Sequence, residues 1–488
     1  MQNKTKVLSI LSQNPNHIPL NSVSAKQFIY MKRYGKQYSE NSKSVSEELV
    51  NDTRSYLVEH HSETLIGSFG NREKKKQLAS IISNYIATQS KHMMKGYKLE
   101  ETTKELVFAI AGLGKFDKIL ESSPDITDIS FDGKNTWIKE VKKKKRRYTE
   151  DKITSEEVEV IAKKVAFATN QTWNYATPEL DAELPRLRIN AMDPSIAHAG
   201  VTFSLRQSFD VLRIDDESIV TSGMATPTML AFLIALIQAK INIVITGETG
   251  AGKTELMKYL LGKTDDLDRI NLLEDTAETE LKKLYPLKDI MMWRTRKNED
   301  ETKSIDFSRL SRSSLRNDVD WLVITETRGK ESLFLIEAGQ TGHRVITTLH
   351  SPPRKAISRL ITMCKKGQNL DDDTLERMIT DVFQIGVHVE QNPDTMEREI
   401  VELVEYRRID DRQTKVVPII TLQSLGTEKV QKDGKTFYKA RQEHAYGEPI
   451  SEELADKLLK YGVISEELIP ILPKSWATKH GIGEGESI

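Results

Sequence analysis

A buried strand that runs directly into a glycine-rich loop is the feature that most constrains the fold of this chain. Residues 241–245 are mostly apolar and β-branched, which indicates a buried strand. The next eight residues have the pattern G-x-x-x-x-G-K-T and are Gly247, Glu248, Thr249, Gly250, Ala251, Gly252, Lys253 and Thr254. A helix is expected over residues 255–261. The order strand, loop, helix is typical of a phosphate-binding loop in an α/β domain.

Each residue type in this loop suits the binding of a polyphosphate. Glycines let backbone N–H groups approach the phosphates closely and allow positive φ angles. Lys253 is placed to neutralise the β- and γ-phosphates, and the Thr254 hydroxyl is placed to ligate Mg²⁺. The helix that follows directs the positive end of its dipole toward the phosphates. The sequence therefore predicts that residues 247–254 bind ATP or GTP.

Length and composition restrict the class of protein. The 488 residues leave room for about three domains, and 38% hydrophobic with 29% charged residues indicate a globular, soluble chain. A net charge of −1 gives no overall bias toward nucleic acid. Because Cys364 is the only cysteine, a disulfide framework and a four-cysteine zinc site are excluded. The apolar stretches at residues 7–11 and 229–245 are too short or too interrupted for a signal peptide or a membrane span, which predicts a cytoplasmic protein.

Changes in composition and periodicity divide the chain into four predicted segments. Residues 1–60 are rich in Asn, Ser, Lys and Gln, and we expect them to be variable and partly disordered. Residues 61–214 combine helical apolar spacing with alternating strands, which predicts an α+β domain. Residues 215–406 are predicted to form the nucleotide-binding domain. Residues 407–488 are predicted to form a C-terminal extension.

The C-terminal extension contains local turn and helix signals. Asp433 and Gly434 form a dipeptide typical of a hairpin turn between two predicted strands. Ser451 and Ser465 are each followed by two glutamates, a pattern that favours the first turn of a helix. We therefore expect a hairpin and two short helices in this segment.

Three further segments follow the loop in a characteristic order. They are residues 268–275, 315–329 and 341–350. The first is a strand that ends near Glu274, the second a buried strand that ends near Glu326, and the third ends at His350. ATP hydrolysis needs an acid at the tip of a strand adjacent to the loop strand, where it can hold Mg²⁺ through water or orient the attacking water. Each signal is weak alone, but the ordered set predicts hydrolysis.

These segments resemble the secretion ATPase superfamily, whose members power type II secretion, type IV pili, Tad/Flp pili and type IV secretion including conjugation. Residues 247–254, 269–275, 315–329 and 341–350 match its Walker A motif, Asp box, Walker B motif and His box in order. The similarity covers roughly residues 105–405, and the layout is closest to the CpaF-like and conjugation branch. Thr325 departs from the family pattern, which usually has glycine before the Walker B glutamate.

The resemblance implies an α/β fold in which a RecA-like P-loop NTPase domain follows an α+β, PAS-like N-terminal domain. It also implies that Arg188 and Arg206 are the N-domain arginines that reach the nucleotide phosphates. A planar, permanently charged guanidinium suits that role because it offers bidentate donors to phosphoryl oxygens. Arg186 is a rival for Arg188, and a surface salt bridge is the alternative reading of each arginine.

The same resemblance assigns roles around the γ-phosphate. It implies that Glu326 and Glu274 are catalytic carboxylates, although the sequence leaves open which polarises water and which organises Mg²⁺. Glu326 and Thr254 are the predicted groups around the metal. His350 is predicted to sense the γ-phosphate or to lie at a subunit interface, together with His343. Arg328 is predicted to support subunit contacts.

The function implied by these matches is that of a ring-forming motor ATPase that uses ATP and Mg²⁺. The family is hexameric and works at the cytoplasmic face of the cell membrane. The predicted partners are therefore other copies of this chain and inner-membrane platform or secretion-channel proteins, with peripheral membrane contact. Two other functions stay open: a non-hydrolysing, nucleotide-dependent scaffold or regulator of a secretion complex, and a DNA-translocating motor with the same fold.

A basic run at residues 139–147 invites a nucleic-acid or anionic-lipid interpretation, since it has seven basic residues and one acid. Tyr148 is the one aromatic residue beside it, and no aromatic platform interleaves the charges. A solvated hairpin tip is therefore the favoured interpretation. The sequence contains no recognised sequence-reading DNA module, so direct nucleic-acid binding is not predicted.

Overall fold

The computed structural model describes residues 45–88, 99–209, 211–296, 301–368, 370–393, 395–409, 413–432 and 435–483. These residues form two compact units, and the chain passes from the first unit to the second between Gln207 and Ser208. Before Ser208, only Val141–Lys144 lies outside the first unit. Each unit has its own sheet and its own hydrophobic core. In the described ranges, no helix is long and apolar enough to cross a membrane.

The first unit has an α+β architecture. Its helices are α1 (Glu47–His60), α2 (Ser62–Ser68), α3 (Arg72–Thr88), α4 (Leu99–Ala111), α5 (Lys115–Ser122) and α6 (Ser155–Ala168). Its strands are β1 (Ile126–Phe131), β2 (Thr136–Glu140), β3 (Arg146–Tyr148), β4 (Glu179–Leu184), β5 (Leu187–Met192) and β6 (Thr202–Gln207). The sheet order is β3-β2-β1-β6-β5-β4 with antiparallel neighbours. Alternate residues such as Ile189 and Leu205 face the core and are fully buried.

Helix α1 occupies part of the segment that the sequence predicted to be variable and partly disordered. The Ser46 side chain accepts a hydrogen bond from the Leu49 N–H at 3.3 Å, which caps the start of the helix. Leu49 and Leu57 are buried, and their spacing places them on one face of α1. This apolar face explains why residues 47–60 are folded despite their polar composition. Residues 1–44 lie outside the described residues.

The second unit is built around one large sheet. Its helices are α7 (Asp216–Thr221), α8 (Pro227–Gln238), α9 (Lys253–Gly262), α10 (Leu281–Leu284), α11 (Phe307–Ser314), α12 (Glu331–Gln340), α13 (Ala356–Cys364), α14 (Asp372–Val382), α15 (Glu452–Lys460) and α16 (Lys474–Lys479). Short 3₁₀ helices span Glu301–Lys303, Pro353–Lys355 and Glu466–Ile471. Its strands are β7 (Ile243–Thr246), β8 (Ile270–Glu274), β9 (Ile290–Arg294), β10 (Trp321–Ile324), β11 (Arg344–Leu349), β12 (Ile385–Gln391), β13 (Arg398–Arg408), β14 (Thr414–Lys432) and β15 (Lys435–Tyr446).

The strand order β15-β14-β13-β12-β7-β11-β10-β8-β9 combines a parallel α/β core with an antiparallel edge. Strands from β12 to β9 in this order are parallel, and β13, β14 and β15 are antiparallel to their neighbours. We expected a strand that ends in a catalytic acid to be adjacent to the loop strand β7, and this expectation is wrong. Neither β8, which ends at Glu274, nor β10, which precedes Glu326, is a neighbour of β7 in the sheet. Strand β11 follows β10 in the chain, but in the sheet it lies between β7 and β10 and pairs with both.

The residues predicted as a C-terminal extension continue the second unit. Strands β14 and β15 extend its sheet, and Leu454 on α15 and Trp476 on α16 are buried in the same core as α8. The predicted helix start at Ser451 is confirmed, since its hydroxyl accepts from the Leu454 N–H at 3.2 Å. The second predicted helix is a 3₁₀ helix that follows Ser465. The predicted turn at residues 433–434 lies outside the described residues.

Candidate nucleotide-binding site

The glycines of the loop between β7 and α9 are required by its backbone. Gly247 has φ 148° and Gly250 has φ 82°. Gly252 has φ 100° and forms the left-handed N-cap of α9. A Cβ atom at Gly247 would also lie 2.2 Å from the carbonyl oxygen of Val389 on β12. The loop conformation therefore excludes side chains at these positions and leaves backbone N–H groups available for an anion at the start of α9.

Lys253 begins α9 and bends back across the loop. Its Nζ donates to the carbonyl oxygens of Gly247 at 2.9 Å and Glu248 at 2.8 Å. The side chain is buried, and this desolvation lowers the pKa of Lys253 to about 8 despite the nearby charge of Glu326. A phosphate group would add negative charge next to this buried ammonium and so stabilise its charged form.

The rest of the loop leaves the residues expected around phosphate and metal accessible. Glu248, Thr249 and Gly250 are exposed, and Ala251 is buried against the core. Thr254 lies exposed on the first turn of α9, next to Lys253. Mg²⁺ in nucleotide sites is typically held by few protein groups plus phosphate oxygens and waters. One accessible hydroxyl beside the anion-binding loop fits that donor set, and Glu326 supplies a carboxylate close by.

Glu326, His350 and Lys253 converge on the loop. His350 Nε2 lies 3.0 Å from Glu326 Oε1, and His350 Nδ1 lies 3.3 Å from Lys253 Nζ. Glu326 follows β10 and His350 follows β11, so both lie at the carboxyl ends of their strands. Parallel strands present these ends at one edge of the sheet, where the P-loop also lies. The structure thus brings together three residues predicted from separate motifs.

Arg328 fixes the charge and orientation of Glu326. Its Nε and Nη2 atoms each donate to one carboxylate oxygen of Glu326 at 2.6 Å. Burial alone would raise the pKa of Glu326, but the Arg328 hydrogen bonds and the charges of Arg328, His350 and Lys253 lower it below its usual value. Burial and the charge of Lys253 lower the pKa of His350. The structure places the Arg328 guanidinium on the Glu326 carboxylate, and the predicted role of Arg328 in subunit contacts stays a prediction.

Glu274 has a different environment from Glu326. It ends β8, is 2% exposed, and its Oε1 accepts from the N–H groups of Glu278 at 3.2 Å and Thr279 at 3.0 Å. Burial raises the pKa of Glu274 to about 7, and these backbone hydrogen bonds offset only part of that effect. The Glu274 carboxylate therefore holds the loop that follows β8 in place. The two acids that the sequence left equivalent are therefore distinguished by their surroundings.

Threonines join the strand ends beneath the site. Thr327 Oγ1 lies 2.6 Å from Thr347 Oγ1, and Thr348 Oγ1 donates to the Thr325 carbonyl at 2.7 Å. Thr325, which departs from the family pattern, also directs its hydroxyl toward the Leu273 carbonyl at 3.4 Å. A threonine at this strand tip is therefore accommodated by hydrogen bonds to the neighbouring strands.

The predicted N-domain arginines lie side by side in the first unit. Arg188 on β5 is the direct cross-strand partner of Arg206 on β6, and both are on the face opposite the buried residues of these strands. Arg206 Nε lies 3.0 Å from Asp128 Oδ1, and an Arg188 nitrogen lies 3.6 Å from Asp181 Oδ2. Arg186 lies in the turn between β4 and β5. The strand register thus makes Arg188 and Arg206 one basic pair.

Two residues near the loop were missed by sequence analysis. His388 on β12 places Nδ1 2.8 Å from the hydroxyl of Thr246, the last residue of β7. Arg398 begins β13, and its Cγ would lie 3.1 Å from a Cβ atom at Gly252. A histidine inside the apolar run of β12 was a usable signal for the first. Arg398 carries no such signal, because only the pairing of β12 with β13 brings it to the loop.

The loop, its lysine and the sheet order define a P-loop NTPase of RecA-like fold. Residues 176–390 match the family described as Type II/IV secretion system protein. The chain is 29% identical over 359 residues to an uncharacterized protein of Bacillus anthracis. The aligned region covers 72% of this chain and 79% of that protein. It is 27% identical over 263 residues to the conjugal transfer protein TrbB of Rhizobium radiobacter. That aligned region covers 52% of this chain and 77% of TrbB.

Among solved structures, the chain is similar to the VirB11 ATPase from the Brucella suis type IV secretion system, crystallised with sulphate. The identity is 22%, the match covers 62% of this chain and 96% of that chain, and the TM-score is 0.33. The segment that matches the type II/IV secretion protein family is residues 176–390. The resemblance to the secretion ATPase superfamily is confirmed by this match and by the conjugal transfer relatives.

Proposed function

We propose that this chain is an ATP-hydrolysing ring motor that powers a type IV secretion or conjugation machine, or a related Tad or type IV pilus machine. The observation that carries this proposal is the convergence of Lys253, His350 and Glu326 at the loop. A phosphate-binding lysine alone serves any nucleotide-binding protein. An ionised, arginine-held carboxylate beside that lysine is what hydrolysis additionally needs.

The chain's own residues divide the work of hydrolysis between binding and water activation. Backbone N–H groups of the loop and the N-terminus of α9 bind the phosphates, and Lys253 exchanges its two carbonyl contacts for phosphate oxygens. Glu326, kept ionised by Arg328, orients the attacking water and accepts its proton. His350 lies between Glu326 and Lys253 and so contacts the region of the γ-phosphate. Mg²⁺, held with the nucleotide by Thr254 and Glu326, would neutralise phosphate charge.

The partners follow from the relatives and remain part of this proposal. Relatives are named as conjugal transfer and type IV secretion proteins. We expect this chain to form a homohexameric ring at the cytoplasmic face of a membrane and to act on a platform or channel protein there. Light scattering on the purified chain with ATP and Mg²⁺ at micromolar concentration should show a species larger than a dimer, and a monomer alone would contradict the ring.

Phosphate release by the purified full-length chain tests the proposed activity. We expect Mg²⁺-dependent turnover of ATP by the unmodified chain and none above background for Lys253→Ala, since that change removes the ammonium group that contacts the phosphates. Circular dichroism checks that the variant is folded. No turnover by the unmodified chain, alone or with anionic vesicles or DNA, would favour the scaffold function. Stimulation by DNA but not by vesicles would favour the DNA-translocating motor.

A further inference from the structure

The position of the catalytic groups fixes which way a nucleotide lies across the loop. Glu326 and His350 follow β10 and β11, which are on one side of β7 in the sheet. The γ-phosphate must lie on that side, within reach of these groups. The phosphate chain then follows the loop past Lys253 toward the first turn of α9. The nucleoside therefore leaves the loop on the other side of β7, where β12 and β13 lie.

Arg398 lies at that side of the loop. It begins β13 and pairs with Gln391, which ends β12, so it is at the same edge of the sheet as the P-loop. Its aliphatic stem covers the loop, because Cγ would be 3.1 Å from a Cβ atom at Gly252. A glycine at this position lets the stem approach the backbone. The Arg398 stem thus lies against Gly252, the N-cap of α9.

The guanidinium of Arg398 is poorly satisfied by the residues that the structure describes. Among the described residues, its hydrogen bond is a long one, 3.5 Å from Nη1 to the carbonyl of Met396. Burial lowers the pKa of Arg398, and the attractive charges of Glu397 and Glu255 do not make up for it. Desolvating a guanidinium without a close partner is unfavourable. A ligand that covers its face or accepts its hydrogen bonds would remove that cost.

A second element borders the same place. Glu255, the residue after Thr254, accepts a hydrogen bond from the Arg213 backbone N–H at 2.9 Å. The Arg213 guanidinium is 3.5 Å from the centroid of the Phe209 ring. Glu255 is thus hydrogen-bonded to the segment that carries this stack and electrostatically coupled to Arg398. Glu255, on the first turn of α9, therefore links both groups to the start of this helix.

We propose that Arg398 binds the nucleoside half of the bound nucleotide, with the stack of Arg213 on Phe209 as a neighbouring surface. This assignment rests on the proposed ATP-binding function. A planar guanidinium can stack on a purine base and donate to ribose or base acceptors, which a lysine cannot reproduce. Arg398 would then contribute to affinity for the nucleoside and leave the reacting phosphate to Lys253 and Glu326.

Two ligands separate a nucleoside contact from a phosphate contact. We would titrate adenylyl imidodiphosphate and inorganic tripolyphosphate, each with Mg²⁺, into the full-length chain by calorimetry. Arg398→Met keeps the stem over Gly252 and removes the guanidinium. We expect this variant to lose about 5- to 30-fold affinity for the nucleotide, whereas its affinity for tripolyphosphate should stay within about twofold. Arg398→Lys should recover only part of the loss.

The control is Arg354→Ala, because Arg354 is an exposed arginine paired with Glu402 and should change neither affinity. Equal losses for both ligands in Arg398→Met would overturn the proposal in favour of a phosphate contact. Unchanged affinity for both would also overturn it. An unmodified chain that binds neither ligand would instead refute the proposed ATP-binding function. In steady-state hydrolysis, Arg398→Met should raise KM and largely preserve kcat.

Discussion

Lys253 occupies a site that disfavours its charge until a phosphate binds. Its pKa of about 8 in the nucleotide-free chain should rise when phosphate oxygens surround the ammonium. The charge of Lys253 is therefore complete only well below pH 8, and it is lost from the free chain as the pH rises through 8. Binding of ATP above pH 8 must then take up a proton, and this uptake costs affinity as the pH increases.

We accordingly expect the dissociation constant for ATP to be nearly flat from pH 7 to 8 and to rise between pH 8 and 10. Calorimetry at pH 9 in two buffers of different ionisation enthalpy should show uptake of a fraction of a proton. Lys253→Arg keeps a permanent charge and should abolish this uptake even if it binds more weakly. A dissociation constant independent of pH up to 10 would contradict the burial argument for Lys253.

Glu274 gives a prediction about stability rather than turnover. Its pKa is about 7 in the fold and 4.5 as the ordinary value, so the folded state favours the protonated form. Stability from this preference is complete below pH 4.5 and is lost as the pH rises toward 7. Glu274→Gln should remove that loss and raise the free energy of unfolding above pH 7 by up to roughly 3 kcal/mol.

Urea denaturation at pH 5 and pH 8 measures this effect. The gain should be small at pH 5 and large at pH 8, and Glu274→Gln should keep most of the hydrolytic activity. Because Glu326 carries the opposite pKa shift, Glu326→Gln should show no such gain. Loss of hydrolysis in Glu274→Gln with no change in stability would instead indicate a direct catalytic role for Glu274.

At the scale of elements, the loop between β7 and α9 depends on the strand beside it. Gly247 is confined by both its φ of 148° and the Val389 carbonyl on β12. Gly247→Ala should shift the loop against β12 and reduce nucleotide affinity at least tenfold, by an argument from close packing. Gly342→Ala is the matched control, because Gly342 also has a positive φ but has open space at the Cβ position.

Gly342→Ala should lower stability by about 1–3 kcal/mol through backbone strain alone, with unchanged nucleotide affinity. Thermal denaturation and a titration of the same nucleotide on both variants separate the two effects. If Gly247→Ala binds nucleotide as well as the unmodified chain does, the contact with β12 does not shape the site.

Element order also explains what the sequence could and could not predict. The P-loop was predictable because strand, loop and helix are contiguous, and the motif residues Glu326 and His350 were found by their order along the chain. The insertion of β11 between β7 and β10 was not predictable, since sequence order does not determine strand order in a parallel sheet. Arg398 was missed for the same reason: it is 146 positions from Gly252 and only the register of β12 with β13 joins them.

At the scale of the whole molecule, the basic pair on β5 and β6 tests whether the first unit takes part in hydrolysis. If Arg188 and Arg206 contact the phosphates, either alanine variant should cut turnover by 10²-fold or more and change ATP affinity much less. The reason is that phosphoryl charge grows toward the transition state, and arginines that stabilise it contribute on the order of 10³–10⁵ in rate. Steady-state turnover and nucleotide titration on each variant give both quantities.

Arg186→Ala is the control and should be nearly silent, because Arg186 lies in a turn outside the cross-strand pair. Arg188→Lys should not restore turnover, since an ammonium cannot make planar bidentate contacts. If Arg186→Ala lowers turnover and Arg188→Ala does not, then Arg186 rather than Arg188 is the arginine that contacts the phosphates. If the alanine variants of Arg186, Arg188 and Arg206 all keep normal turnover, these arginines of the first unit take no part in catalysis.

The central claim is that Glu326 activates water for a nucleotide held by Lys253. A single-turnover experiment tests it most directly: radiolabelled ATP is mixed with excess full-length chain and Mg²⁺, quenched over time and separated by chromatography. We predict that the unmodified chain converts bound ATP to ADP and phosphate, whereas Glu326→Gln retains bound ATP at least 10²-fold longer with similar affinity. Equal conversion by both chains, or intact ATP on the unmodified chain, would contradict the claim.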